Sequence, residues 1–141
     1  MSAGHPNPLE PPLEDRITTG WWDATRDRRL VLQTCAACGT AQHYPRALCT
    51  TCGATDQLTL EPASGEGVVH ASTVVHRAPH PDLETPYVIA LVDLAEGPRL
   101  MTRLDVDPET GPFTGRSVTV GWWPLPDGRA LPVFTPTPSQ P

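Results

Sequence analysis

The sequence predicts a mainly β protein, in which an N-terminal helical arm leads into a zinc ribbon and then a five-stranded barrel of OB type. Three observations carry this. All four cysteines fall within residues 35–52 as two C-x2-C pairs; from residue 58 onward, short β-branched runs recur between glycine-marked corners; and a short helical segment precedes both. Of 141 residues, 18 are proline and 11 glycine, and only 38% are apolar, so the core must be small or helped by something besides burial.

Residues 1–14 are proline-rich with no periodic pattern and predict a disordered lead. Residues 15–33 predict a helix and a linking strand. Thr18, Thr19 and Gly20 offer capping candidates ahead of WWDATRDR at 21–28, a stretch suited to roughly two or three helical turns. Trp21 and Trp22 project about 100° apart on a helix, so one is expected in the core and the other against a partner or the second domain. The run LVLQT at 30–34 then feeds the first cysteine pair as a strand.

The ribbon is expected over 34–56. Cys35 and Cys38 are separated by ten residues from Cys49 and Cys52. Each C-x2-C turn aims two thiolates at one point, and four thiolates complete the tetrahedron that zinc prefers. Gly39 and Gly53 follow the second cysteine of each pair, where a missing Cβ lets the turn curl toward the sulfurs. Two disulfides would need an oxidising compartment, and a redox dithiol occurs as one C-x-x-C rather than two. One structural zinc per chain is the expectation, with no site left for a catalytic water. His43 is expected on the ribbon surface.

The barrel is expected over 57–136, built from runs at 68–75, 87–94, 99–104, 117–123 and 130–134. The run YVIALVDL at 87–94 is apolar on both faces for most of its length. Phe113, Trp122, Trp123 and Phe134 fit a core as readily as a stacking platform. The longest irregular stretch, 77–86, is stiffened by three prolines and flanked by His76 and His80, expected as exposed loop residues at a contact surface. Asp105, Asp107 and Glu109 lack the glycine and final glutamate of a calcium loop and predict a solvated turn. Residues 137–141 predict a tail.

The formal charge is −6, from 16 acidic residues and 10 basic ones, all arginine. Residues 57–141 carry −5 of it, while 15–52 are locally +2. Arg26, Arg28, Arg29 and Arg46 therefore either receive an anion, such as the phosphates of a nucleotide-like cofactor, or offset the charge of a zinc tetrathiolate. An acidic barrel is a poor ligand for nucleic acid, which requires phosphate neutralisation. No apolar run approaches the ~20 residues that span a bilayer, and MSAGHPNPLEPP lacks the basic start and apolar stretch of a secretory signal. A cytoplasmic protein without membrane contact is expected.

Together, the helix with its paired tryptophans, LVLQTCAACG, HYPRALCTTCG, STVVHR, PYVIALVDL and LPVFTP resemble the zinc-ribbon plus OB-fold family known as domain of unknown function 35, over about residues 17–136. The resemblance implies a rubredoxin-like ribbon and a role beside acyl-CoA enzymes. Its members accompany thiolase-like proteins in lipid, polyketide or steroid side-chain metabolism. It carries over the metal ligands Cys35, Cys38, Cys49 and Cys52 and no catalytic residue. It thus implies a stand-alone, non-catalytic subunit of an acyl-CoA lyase or transferase complex, assembled with a thiolase, condensing enzyme or retro-aldolase. Trp21, Trp22, Arg26, Arg28, Arg29, Tyr44, Pro45, Arg46, His76 and Arg77 are the expected contacts to that partner or to a CoA thioester bound jointly with it. The competing expectation is a single-stranded nucleic-acid binder, which needs a basic groove with stacking aromatics.

Overall fold

The structure, a computed structural model, describes residues 12–138; most of the expected lead (1–11) and the last three residues of the expected tail lie outside the described residues. One helix, α1 (Thr19–Arg26), is followed by β1 (Val31–Cys35), β2 (Ala41–Gln42), β3 (Leu58–Pro62), β4 (Glu66–Val75), β5 (Tyr87–Leu94), β6 (Arg99–Leu104), a 3-10 turn (Pro108–Thr110), β7 (Ser117–Pro124) and β8 (Ala130–Pro136). The fold is mainly β, with the ribbon and the five-stranded barrel that the sequence predicts.

Local chemistry sets the ends of α1. Thr18 makes no side-chain cap; instead Asp15 Oδ1 accepts from the backbone N–H groups of Ile17 and Thr18, each at 2.9 Å. At the other end Arg28 turns the chain with a φ of 55°, and its Nη1 donates to the Thr25 carbonyl at 2.9 Å.

Trp21 and Trp22 are both buried, at 3% and 4% exposure, and of the two places expected for the second tryptophan, a partner or the second domain, the structure shows the second domain. The 100° between them serves two contacts. Trp21 packs on His43 and Tyr44 of the ribbon, with ring centroids 5.6 and 5.3 Å away, while Trp22 lies under the Arg129 guanidinium of the barrel at 4.7 Å. The helix is wedged between two units and has a core on each side. Thr25 completes the wedge: its buried hydroxyl donates to the Trp22 carbonyl at 2.6 Å and accepts from Ala130 N–H at 3.1 Å.

The ribbon sheet has the order β2-β1-β3, all antiparallel. Its third strand lies at residues the sequence placed in the barrel region. β3 pairs along the whole of β1, from Val31↔Pro62 to Cys35↔Leu58, so the ribbon sheet runs past residue 57 before the chain enters the barrel.

β4-β5-β6-β8-β7 form a closed barrel. β4 reaches both neighbours because its ten residues bend at a bulge between Val69 and Ala71, pairing its start with β7 and its remainder with β5. Gly67 sits where those ladders overlap; a Cβ there would meet Val92 Cγ1 at 2.6 Å and the Asp93 carbonyl oxygen at 2.8 Å. Val88, Ala90, Val92 and Leu94 alternate inward along β5 to meet Val69, Leu100, Leu104, Val118 and Phe134, all buried. Phe113 is buried with them, and Trp122 is partly buried against the same core, as the core alternative had it.

Because backbone must move to admit it, Gly67→Ala is expected to destabilise the chain by about 1–3 kcal/mol, measured as a lower urea midpoint at unchanged slope. An unchanged midpoint would show that β4 does not need this close approach.

Candidate functional site

Two turns bring the cysteines together. β1 delivers Cys35 and the first turn returns Cys38; Gly39, at φ 76°, donates to the Cys35 carbonyl at 2.7 Å. The second turn repeats this with Gly53, at φ 82°, donating to the Cys49 carbonyl at 2.8 Å. All four Sγ atoms lie within 4.8 Å of one another. Cys35 and Cys52 sulfurs are 3.7 Å apart, and Cys38 and Cys49 sulfurs 3.6 Å. Tetrahedral ligands at a zinc–sulfur distance of about 2.3 Å stand about 3.8 Å from one another, so the donor set fits zinc.

Local hydrogen bonds favour the thiolate at Cys49 and Cys38, whereas at Cys52 the lowering by the Ala54 N–H is outweighed by burial and the neighbouring sulfurs, which push the thiol up to about 11. Backbone N–H groups of Cys52 and Thr51 pull the Cys49 thiol down to about 6, and the Thr40 hydroxyl and N–H lower that of Cys38. Cys35 and Cys49 are buried, while Cys38 and Cys52 reach the surface. Zinc, when bound, supplies a cross-link between the two turns where the ribbon has little apolar core.

Two buried glutamines that the sequence reading did not single out hold the loop between the turns. Gln33 Nε2 donates to the Arg46 carbonyl at 2.9 Å, and Gln33 Oε1 accepts from Arg46 N–H at 2.8 Å. Gln42 Nε2 donates to Gln33 Oε1 at 2.6 Å and to the Leu48 carbonyl at 3.0 Å, while its Oε1 accepts from Thr50 N–H at 3.0 Å. The clamp presses Pro45 into the interior and leaves Tyr44 half-buried against Trp21, so neither is the open contact its sequence suggested.

His43 is likewise corrected from the ribbon surface to the helix–ribbon junction. Its ring is mostly shielded, its Nδ1 is buried without a partner, and burial lowers its pKa to about 4.

The expected arginine cluster is divided. Arg26 Nη1 donates to the Asp127 carbonyl at 2.6 Å, and Arg28 Nη1 to the Gly128 carbonyl at 3.3 Å, so both brace α1 on the β7–β8 turn. Arg29 lies 3.9 Å from Asp27 in an exposed pair. Arg46, His76 and Arg77 are exposed.

The one arginine buried among the described residues, Arg129, and the half-buried Arg103 are ones the sequence gave no reason to choose. Arg129, 4% exposed, donates to Asp127 at 2.7 Å and to the Pro12 carbonyl at 2.7 Å, and sits 3.5 Å from Glu14. Pro12 and Glu14, at the end of the expected lead, are thereby held against the barrel. Arg103 lies between the rings of Tyr87 and Trp123, at 4.8 and 5.0 Å from their centroids. It stands at an apolar groove of about 350 Å³ on the outside of the barrel, lined by Ile89, Met101, Leu131 and Val133 and bordered by Trp21 and His43.

Cys49→Ser is expected to lower metal content from about one zinc per chain, read by atomic absorption, and to increase amide exchange first over residues 34–56. Equal zinc content in variant and wild type would exclude the tetrathiolate. His43 gives a pH dependence of known sign. Its folded pKa lies below the free value of 6.5, so its contribution is complete above pH 6.5 and is lost as pH falls toward about 4. His43→Phe is expected to reduce that acid-side loss by up to about 3 kcal/mol, measured by urea unfolding at stepped pH against wild type.

Comparison with known proteins agrees with this geometry. Residues 22–58 match the family described as the ChsH2 rubredoxin-like zinc ribbon domain, and residues 60–122 the ChsH2 C-terminal OB-fold domain. A chain of the solved Ltp2-ChsH2(DUF35) aldolase superposes with a TM-score of 0.79 at 41% identity, covering 89% of this chain and 98% of that one. A DUF35 protein of unknown function from Sulfolobus solfataricus shares the fold at a TM-score of 0.59 and 15% identity, over 84% of this chain and 83% of its own. A probable enoyl-CoA hydratase alpha subunit from Thermomonospora curvata is 42% identical over 96% of this chain, which spans 42% of that relative's length. A DUF35 domain-containing scaffold protein from Methanocaldococcus jannaschii is 32% identical over 69% of this chain and 71% of its own. A ribbon and a barrel joined in this order, with that coverage of a DUF35 relative, place the chain in the DUF35 family of zinc-ribbon and OB-fold proteins.

Proposed function

We propose that the chain is an accessory scaffold subunit that binds a thiolase-superfamily enzyme and supports acyl-CoA binding or active-site assembly there, the chemistry being the partner's. The observation that carries this reading is the near whole-length likeness, at 41% identity, to a chain of the Ltp2-ChsH2(DUF35) aldolase. The acyl-CoA thioester as shared substrate is supported by the name of the hydratase-like relative, and lipid or steroid side-chain metabolism is the setting proposed for it. Of the expected arginines, all exposed, Arg26 and Arg28 are engaged with carbonyls of the β7–β8 turn, which leaves Arg29, Arg46 and Arg77 as the cations offered to its phosphates.

The physics of the chain suits the role. A metal cross-linked ribbon and a closed barrel present preformed surfaces, which lowers the ordering cost of association. Among the described residues no serine, threonine or cysteine side chain hydrogen-bonds a histidine; His80 accepts from Asp82 N–H and His70 meets Arg99, both at the surface. The charge of −6 weighs against single-stranded nucleic acid.

Mixing the purified chain with the Ltp2 aldolase at micromolar concentration is expected to give a heteromeric peak by size exclusion with light scattering. Two separate peaks, each at its own mass, would sink the reading.

A further inference from the structure

Along β5 the inward residues Val88, Ala90, Val92 and Leu94 fill the barrel, which requires nothing apolar of the residues between them. A strand with one wet face alternates apolar and polar. Here the outward residues Tyr87, Ile89 and Leu91 are apolar, and only Asp93 obeys the alternation. Across the ladder Leu91 faces Met101, 71% exposed, and Ile89 faces Arg103. Tyr87, Ile89, Met101 and Arg103 line the groove with Trp123 and Val133, and it is open along the barrel face rather than closed over. Enclosed pockets bury most of a small ligand; an open face does not.

We propose that this groove receives the partner enzyme, through an apolar segment that carries a carboxylate for Arg103. This rests on the scaffold reading and adds to it the surface and the chemistry of the contact. Arg103 makes no ion pair among the described residues, although Asp82, Glu84 and Asp105 stand around the adjoining hollows. Its guanidinium is already fixed between two rings, so little side-chain freedom remains to be lost on pairing. In an acidic chain, that fixed cation is the feature of the groove that draws a carboxylate, and a bidentate pair sets the orientation of what docks.

The Trp21 and His43 rings border the groove. Tryptophan, tyrosine, methionine and arginine gathered along one open groove is the composition of interface hot spots.

The test uses the full chain and the Ltp2 aldolase as probe. Met101→Asp and Arg103→Glu are each expected to weaken the complex at least tenfold by titration calorimetry, with zinc content and thermal midpoint unchanged. Val68→Asp, at an exposed β4 position outside the groove, is expected to bind as wild type. Deuterium exchange on the wild-type chain provides a second readout that needs no variant: residues 87–91 and 99–103 should gain protection when the aldolase is added. A complex that forms with full affinity in both groove variants, or forms without that protection, overturns the groove and leaves the scaffold reading standing. No complex with wild-type chain overturns both. A chain that self-associates when alone and is made monomeric by Met101→Asp assigns the face to a second copy and overturns the partner.

Discussion

The tryptophan wedge is the constraint on which the rest of the molecule depends. Neither unit has enough apolar material to define its own boundary: the ribbon is built around four sulfurs, and the barrel interior is a short column of valines, leucines, one alanine and two phenylalanines. Placing Trp21 on the ribbon side and Trp22 on the barrel side, in edge contact with centroids 4.8 Å apart, merges both into a single core. Thr25, Arg26 and Arg28 then pin the same helix to the β7–β8 turn through hydrogen bonds to backbone atoms. The relative placement of metal centre and barrel face follows from these few residues.

Around the metal centre the order of control runs from backbone outward. The glycine turns set the sulfur positions, N–H groups and the Thr40 hydroxyl favour the ionised form of Cys38 and Cys49, and the glutamine clamp fixes the loop between the turns. Amide–amide and amide–backbone bonds do this without charge, so the clamp does not compete electrostatically with a tetrathiolate. Buried carboxylates at the same positions would bring like charges into a small unit.

What was legible in the sequence had a strict spacing. The C-x2-C pairs named the ligands, and short β-branched or apolar runs between glycine-marked corners placed all five barrel strands, because each is dictated by neighbours close in the chain. What was illegible depended on pairing at a distance. Residues 58–62 fall in the expected barrel region with no strand read among them; only the ladder with β1 makes them a strand of the ribbon. The helical angle between Trp21 and Trp22 was read correctly, but whether the second ring meets a partner or the second domain depends on Arg129, more than a hundred residues away. Arginines were grouped by sequence density, whereas Arg103 and Arg129 owe their settings to rings and carbonyls far away in the chain. The outward apolar residues of β5 were visible, and their meaning emerged only when the barrel proved to be filled without them.

The barrel closes unequally. β4 and β5 share eight registered pairs and β7 and β8 seven, but β6 and β8 meet through the single parallel pair Leu104↔Phe134. Asp105 N–H donates to the Phe134 carbonyl at 2.8 Å, and the Thr102 hydroxyl to the Pro132 carbonyl at 3.0 Å; Pro132 itself has no N–H to offer. This makes a seam, and the groove lies over it, with Met101, Thr102 and Arg103 on one bank and Leu131, Pro132 and Val133 on the other. A body seated there would lie across the seam like a splint. Its grip and the integrity of the barrel would then be linked quantities: holding the banks together slows their parting, and loosening them releases the occupant.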